Sequence, residues 1–184
     1  LAVKGYIGGD LSKVDHIPYC LLGSVTNKPF KGKFDGNDHV ISNFKITNYG
    51  LDIVGLFGYN AGTITNLGVE NFTIKFSQTD EAIAGGLVGF NVGTITNCYT
   101  IGDVESSCTN GQSFAGGLVG DNQGIIKNCY STGDVSAYND TEYNSYAGGL
   151  VGYNHGGTIE DSYSAGDVNS YFDSYALNYS WRIS

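Results

Sequence analysis

The fold is decided by a phrase that the chain repeats, "GGLVGFNVGTITNCYTIGDV" at residues 85–104. It recurs as "GGLVGDNQGIIKNCYSTGDV" at residues 116–135 and as "GGLVGYNHGGTIEDSYSAGDV" at residues 148–168. A repeated hydrophobic core would require only the apolar residues to recur. The glycines, asparagines and tyrosines recur as well, so these positions need a structural explanation of their own.

The repeat has a nearly constant period. Leu56, Leu87, Leu118 and Leu150 occupy equivalent positions, at spacings of 31, 31 and 32 residues. The stretch "GLFGYNAGTITNLGVENF" at residues 55–72 is a degenerate first copy. A fixed period of this size is typical of stacked arrays, whose units bury apolar surface only against their neighbours.

Each repeat is predicted to consist of short strands. No segment has apolar residues at helical spacing over ten or more positions, and glycine interrupts every candidate helix. A propeller blade needs about 40 residues, and hairpins would show Asn-Gly or Asp-Gly turns in each copy. The remaining solution is an all-β parallel β-helix, or β-solenoid, with about one coil per 31-residue repeat. Equivalent strands would then pair in parallel about 4.8 Å apart.

Stacking places each residue on its own copy, which explains the repeated polar residues. Amide side chains can then hydrogen-bond along the axis of the stack. We predict one ladder from Asn60, Asn91, Asn122 and Asn154. We predict a second ladder, at a turn, from Asn66, Asn97, Asn128 and the following Asp161. Glycine would be required where chains approach closely, at Gly58, Gly89, Gly120 and Gly152.

Three apolar columns recur in the repeat. They are the leucines given above, Phe57 with Val88, Val119 and Val151, and the isoleucines at positions 64, 95, 126 and 159. Because side chains alternate along a strand, we expect at most two of these columns to face inward, namely the leucines and isoleucines.

The segments between the phrases vary freely. We predict that residues 105–114 and 136–146 are lateral loops, where such scaffolds carry binding sites. We divide the chain into an N-terminal capping coil (1–50), a solenoid of about four repeats (51–168) and a C-terminal cap or tail (169–184). The chain begins with Leu rather than Met, so we expect it to be part of a longer protein.

The repeated phrase closely resembles the GLUG repeat of bacterial secreted and surface proteins. The segment "FKGKFDGNDHVISNF" at residues 30–44 resembles the sequence that precedes such repeats, and "NSYFD" at residues 169–173 resembles the one that closes them. The resemblance implies a right-handed parallel β-helix and an extracellular setting, often in adhesins or in the non-catalytic part of immunoglobulin-A-cleaving peptidases. It transfers no catalytic motif.

The negative net charge of the chain limits the kinds of molecule that it can bind. The formal net charge is −9, and residues 76–184 hold two basic residues against twelve acidic ones. Binding of nucleic acid or of anionic lipid would require the opposite sign. No stretch approaches the roughly 20 apolar residues of a membrane-spanning helix. We therefore expect neither nucleic-acid binding nor membrane insertion.

Two columns could carry binding chemistry. Asp103, Asp134 and Asp167 could provide oxygen ligands for Ca²⁺, although we favour carboxylates that cap backbone N–H groups. Tyr99, Tyr130 and Tyr163 could form a sugar-binding strip, but we favour an aromatic ladder that stabilises the sheet. If a ligand binds the variable segments, we expect Tyr138, Tyr143 and Tyr146 to contact it.

The cysteines and glycosylation triplets leave alternatives open. Cys98 and Cys129 occupy equivalent positions and could form a disulfide or a metal pair, but Leu67 and Ser162 in the other copies favour a small core residue. The state of Cys20 and Cys108 is not decided by the sequence. N-x-S/T triplets begin at Asn71, Asn139 and Asn178.

We expect no enzyme activity. There is one arginine, Arg182, and no zinc-peptidase signature or nucleophile elbow. The expected function is a structural or adhesive module of a secreted or cell-surface protein, with a surface glycan, a protein receptor or neighbouring domains as partners. No cofactor is expected apart from the possible Ca²⁺. The alternatives are a non-catalytic β-helix of a surface peptidase and a polysaccharide-processing enzyme.

Overall fold

The structure is a computed structural model that describes residues 28–47, 51–141, 143–172 and 178–181. Within these residues there are nineteen strands and no helix. In chain order they are β1 (Lys33–Thr47), β2 (Ile53–Val54), β3 (Phe57–Asn60), β4 (Thr63–Gln78), β5 (Glu81–Gly85), β6 (Val88–Asn91), β7 (Thr94–Thr96), β8 (Tyr99–Cys108), β9 (Gln112–Gly116), β10 (Val119–Asn122), β11 (Ile125–Lys127), β12 (Tyr130–Thr132), β13 (Val135–Asn139), β14 (Ser145–Gly148), β15 (Val151–Asn154), β16 (Thr158–Glu160), β17 (Tyr163–Ala165), β18 (Val168–Phe172) and β19 (Asn178–Trp181).

The strands form the three walls of a parallel β-solenoid of about four turns. Every pairing among the described strands is parallel. One sheet has the order β15-β10-β6-β3, a second has the order β19-β14-β9-β5-β2, and the largest sheet contains the other ten strands. We call them the short sheet, the middle sheet and the large sheet. The predicted fold class is confirmed.

Equivalent residues lie on adjacent coils, as the period predicts. The Leu87 amide donates to the Leu118 carbonyl at 2.9 Å, and the Leu118 amide donates to the Leu150 carbonyl at the same distance. Val119 pairs in register with both Val88 and Val151. One repeat is therefore one coil.

The core contains all three apolar columns, so the prediction that only two face inward is wrong. Leu87, Val88 and Ile95 each have no exposed surface. The alternation rule applies within one strand, and these residues do not share one. Leu87 lies in the bend between β5 and β6, Val88 begins β6, and Ile95 lies in β7. Each therefore reaches the core from a different direction.

The buried ladder is present as predicted, and the second ladder is present for its three asparagines; Asp161 shares their left-handed conformation, with a φ angle of 48°, but contacts Lys127. In the buried ladder, the Nδ2 atoms of Asn60, Asn91 and Asn122 each donate to the Oδ1 of the next asparagine at 2.8 Å, ending at Asn154. The first three of these residues have no exposed surface. Their Oδ1 atoms also accept hydrogen bonds from the backbone amides two residues further on. The ladder thus satisfies the backbone of a turn inside the stack.

The second ladder occupies a left-handed turn. Asn66, Asn97 and Asn128 have φ angles of 53°, 54° and 52°. Asparagine tolerates this conformation better than other residues with a Cβ atom. Asn128 donates to Asn97 at 3.2 Å, and Asn97 donates to Asn66 at 3.0 Å. Asn66 donates in turn to Asp35 of β1 at 3.0 Å, so the ladder reaches one coil beyond the predicted repeats.

Close approach of backbones explains the recurrent glycines. A Cβ atom on Gly120 would lie 2.7 Å from the carbonyl oxygen of Gly89, and one on Gly116 would lie 1.8 Å from that of Val119. Neither distance is sterically possible, so a side chain on Gly120 would push neighbouring coils apart and one on Gly116 would open the bend of its own coil.

The prediction that residues 105–114 and 136–146 form lateral loops is wrong. β8 continues to Cys108 and β9 begins at Gln112, while β13 continues to Asn139 and β14 begins at Ser145. Ser106 and Ser113 are fully buried, and their hydroxyls hydrogen-bond to each other at 3.0 Å. Because small polar residues face inward here, the segments lack the apolar alternation by which a strand is recognised.

The terminal segments extend the stack where they are described. β1 pairs in parallel with β4, with an irregularity between Asp35 and His39. β18 pairs with β13, and β19 pairs with β14. Residues 1–27, which include Cys20, and residues 173–177 and 182–184 of the predicted C-terminal cap lie outside the described residues. Within the described part of the chain, no helix has the length and apolar character to cross a membrane.

Candidate functional site

The outer surface of the large sheet carries the recurrent tyrosines and aspartates. Tyr99, Tyr130 and Tyr163 pair in register across β8, β12 and β17. Their neighbours along the strands, Thr100, Ser131 and Ser164, are buried, so the tyrosines lie on the outward side. Asp103, Asp134 and Asp167 follow four residues after each tyrosine. We call this surface the tyrosine–aspartate face, defined by these three tyrosines and three aspartates.

The tyrosine rings are stacked. The Tyr99 and Tyr130 centroids lie 4.9 Å apart with an interplanar angle of 3°, and those of Tyr130 and Tyr163 lie 5.3 Å apart at 8°. The preferred interpretation of this column as an aromatic ladder is therefore correct geometrically. Tyr163 is 51 % exposed, since the described stack places no further ring upon it.

The pKa of Tyr99, the first tyrosine of the column, is raised by desolvation and by the nearby Glu70 side chain. The Tyr99 hydroxyl donates to Glu70 Oε1 at 2.7 Å. Desolvation, together with this hydrogen bond and the charge of Glu70, raises the pKa of Tyr99 to about 12. Desolvation also raises the pKa of Tyr130. Tyr99 thus uses its one hydroxyl donor within the sheet and can only accept a hydrogen bond from a ligand.

The aspartate column links successive coils. Oδ1 of Asp103 accepts from the Asp134 backbone amide at 3.0 Å, and Oδ1 of Asp134 accepts from the Asp167 amide at 3.1 Å. This is the capping role that we favoured, except that each carboxylate caps the next coil and not its own. The acceptor role satisfies backbone donors at a point where the strands are interrupted.

Calcium binding by this column stays the untested alternative to the capping role. Within the described part of the chain, no group of three or more His, Cys, Asp or Glu side chains is arranged to hold a metal ion. Asp103 and Asp134 each already use one carboxylate oxygen for a backbone amide. A Ca²⁺ ion needs six to eight oxygen ligands, so the column alone does not supply a complete site.

Shallow depressions lie beside the aspartates. Thr73 and Asp103 line two of them, one extending toward Glu105 and Asp134 and the other toward Ile101. Ile101 is 41 % exposed, and this places an apolar side chain next to the carboxylates. The face therefore combines apolar contact area with hydrogen-bonding groups, as ligand-binding surfaces require.

The three tyrosines predicted to contact a ligand do not share one surface. Tyr138 lies on β13, in register with Ser107 and Tyr171, and is 38 % exposed. Tyr143 lies in the turn before β14 and is 51 % exposed. Tyr146 lies on β14 and stacks on Phe114, with the ring centroids 5.1 Å apart. Sequence proximity had grouped them, but the bend between β13 and β14 separates them.

The three cysteines in the described part of the chain are core residues. Cys98, Cys108 and Cys129 are free thiols, each with about 1 % exposed surface. The pKa of Cys98 is raised by a hydrogen bond with the neighbouring Cys129 thiol and by burial. Cys98 is therefore an unreactive thiol at neutral pH. The interpretation of Cys98 and Cys129 as small core residues is correct.

The glycosylation triplets differ in accessibility. Asn71 is exposed, at a left-handed position with a φ angle of 48°. Asn139 has no exposed surface, and its Nδ2 donates to the Gly111 carbonyl. Attachment of a glycan to Asn139 would require this strand to leave the sheet. Nothing is described for the side chain of Asn178.

Fold and surface together define the class of protein, a repeat-built parallel β-solenoid with polar ladders along its axis. The family model of the GLUG motif matches residues 112–136 and 143–169, which cover parts of the last two repeats. The chain thus contains GLUG repeats, and the resemblance of the sequence to this family is confirmed.

Comparison with solved structures finds a protein described as "a putative immunoglobulin A1 protease from Bacteroides ovatus". The two chains are 20 % identical, with a TM-score of 0.49, and the match covers 94 % of this chain and 75 % of that one. No curated protein matches the sequence.

Proposed function

We propose that this GLUG-repeat solenoid is an adhesive module of a secreted or cell-surface protein, and that its tyrosine–aspartate face binds glycans. The observation that carries the proposal is the pair of parallel columns on one exposed sheet, stacked tyrosines beside aspartates. The free face of the terminal Tyr163 ring can pack on the apolar face of a sugar, the stacked Tyr99 and Tyr130 rings present their edges, and carboxylates accept hydrogen bonds from sugar hydroxyls.

The repeat spacing suits a linear polymer. Binding groups of one type recur about every 4.8 Å along the axis, because adjacent strands have that separation. This spacing is similar to the length of one sugar unit in an extended polysaccharide. A glycan lying along the axis would therefore meet a tyrosine and an aspartate at successive units, and weak contacts at each coil would add up.

We propose that the module binds without chemical turnover. Glycoside hydrolysis needs two carboxyl groups on opposite sides of the scissile bond, at a defined separation. Asp103, Asp134 and Asp167 instead form one column on one side of a flat sheet, and two of them hold backbone amides. This geometry supports a static recognition surface. The partners we propose are surface glycans, with a protein receptor or neighbouring domains of the same protein as alternatives.

An array of immobilised glycans tests the proposal. Tyr163→Ala should weaken binding at least tenfold, because it removes the most exposed ring of the column. Tyr143→Ala is a matched control, because both tyrosines are 51 % exposed and Tyr143 lies away from the face.

The outcomes separate the candidate sites and functions. Retained binding by Tyr163→Ala would contradict the proposal. Loss of binding in Tyr143→Ala alone would instead support the variable segment 136–146 as the binding site. Release of shortened glycan from the array would favour the polysaccharide-processing alternative.

A further inference from the structure

A second surface, on the short sheet, has an unusual column of residues. Tyr59, Phe90, Asp121 and Tyr153 lie in register on β3, β6, β10 and β15. Three members of the column are aromatic, and the third position in the stack is a carboxylate. Tyr59 and Phe90 make an edge-to-face contact with centroids 4.9 Å apart. Asp121 therefore occupies the place at which the repeat otherwise puts a ring.

Rings from the middle sheet pack on Tyr153, the neighbour of Asp121 in the column. The Phe114 centroid lies 5.6 Å from that of Tyr153, and the Tyr146 centroid lies 5.0 Å from it. Phe90, Tyr146 and Tyr153 are partly buried against a small apolar cluster that is separate from the main core. We call this set, with Asp121, the Asp121 cluster; its apolar members are Ile53, Ile83, Phe90, Phe114, Tyr146 and Tyr153.

The carboxylate lacks a partner. Asp121 is only 7 % exposed, and its Oδ1 is the one buried side-chain oxygen or nitrogen without a hydrogen bond in the described part of the chain. Other buried polar side chains, such as Asn91 and Ser106, have partners. Buried polar atoms are normally satisfied, so Oδ1 of Asp121 is an acceptor that is free to take a hydrogen bond from a ligand.

Two ionisable groups act on Asp121. His155, after β15, has the larger effect and lowers the pKa of Asp121, and Glu81, at the start of β5, raises it. Desolvation is the largest effect and raises the pKa of Asp121 to about 6. Glu81 itself has a raised pKa, because of desolvation and the nearby charge of Asp52. The region thus contains three carboxylates, those of Asp121, Glu81 and Asp52, and one histidine, His155.

We propose that the Asp121 cluster is a binding site for an organic cation, a protonated amine or a guanidinium group. Aromatic rings attract such cations through their faces, and a desolvated carboxylate supplies the opposite charge. A sugar hydroxyl could also donate to Asp121, but the excess of carboxylates favours a positively charged ligand. The site lies on a different sheet from the tyrosine–aspartate face and does not depend on the glycan proposal.

Titrations of the 184-residue chain with butylammonium, followed by amide chemical shifts, test the site. We expect saturable shifts at residues of the Asp121 cluster, and at least tenfold weaker binding of butanol, which has a similar size but no charge. Asp121→Asn keeps the shape of the side chain and should weaken butylammonium binding at least tenfold. Asp38→Asn, which removes an exposed carboxylate on β1 of the large sheet, is the matched control and should leave binding unchanged.

Two further arms define the ligand and its pH dependence. Binding should weaken as the pH falls through about 6, because protonation neutralises Asp121. Blocked lysine and arginine amides, compared with free butylammonium, distinguish a partner's side chain from a small amine; binding of either supports the site. The proposal is overturned if butylammonium gives no saturable shift, if butanol binds equally well, or if Asp121→Asn binds like the unaltered chain.

Discussion

The buried asparagine ladder should be a major determinant of stability, and Asn91→Ala tests it. Asn91 has no exposed surface and lies in the middle of the ladder. It accepts a hydrogen bond from Asn60 and donates one to Asn122, both at 2.8 Å. Its Oδ1 also accepts from the Gly93 amide at 3.2 Å. Alanine removes all of these bonds at once.

The expected cost follows from which groups lose partners. The Gly93 amide keeps a backbone bond to the Asn60 carbonyl, and Asn122 Oδ1 keeps the Gly124 amide. The Asn60 side-chain amide keeps only a long contact of 3.5 Å to the Gly62 carbonyl. Since an unsatisfied buried group costs about 1–3 kcal/mol and each lost bond about 1 kcal/mol, we expect Asn91→Ala to reduce the free energy of unfolding by about 2–4 kcal/mol.

Asn154→Ala is the matched control. Asn154 ends the ladder, is exposed, and can exchange its hydrogen bonds for water. The buried Asn122 side-chain amide loses this acceptor but keeps the Gly124 carbonyl at 3.3 Å, so we expect Asn154→Ala to cost about 1 kcal/mol, less than Asn91→Ala. Urea unfolding followed by circular dichroism measures both variants, provided that the slope with denaturant concentration stays constant. Equal losses for the two variants would refute the claim that the ladder stabilises the stack through buried hydrogen bonds.

Other perturbations should separate core, surface and charge effects. Leu118→Ala should lower the free energy of unfolding by roughly 2–5 kcal/mol as a buried deletion, whereas Tyr143→Ala should change it little; urea midpoints in the reverse order would mean that the inside and outside of the coil are misassigned. The raised pKa of Asp121 means that the folded state holds its proton to a higher pH than the unfolded state. Stability should therefore fall by about 2 kcal/mol as the pH rises from 3.8 to about 6, and Asp121→Asn should abolish this dependence in melting curves. Because Asp103 and Asp134 already cap backbone amides, millimolar Ca²⁺ should not raise the melting temperature; a rise that Asp134→Asn removes would establish a calcium site.

Much of the fold was predictable because the period of the repeat determines which residues pair between adjacent coils. Once Leu87 and Leu118 are known to be equivalent, parallel pairing places each remaining residue of one coil on its copy in the next coil. Both asparagine ladders follow from this pairing. The tyrosine stack and the aspartate column follow for the same reason. Interactions of this kind join residues with the same position in the repeat, so one sequence contains all the information needed to find them.

Contacts between unlike positions could not be predicted in this way. Ser106 meets Ser113 across a bend, so both are buried although the segment reads as a polar loop. Asp121 is buried where the neighbouring rings of Phe90 and Tyr153 pack against a cluster that includes Phe114 of the middle sheet. The sequence therefore determined the period, the parallel stacking and the columns of like residues. Only the tertiary structure decided which face each variable segment buries, because that depends on how the chain bends between sheets and not on the repeat.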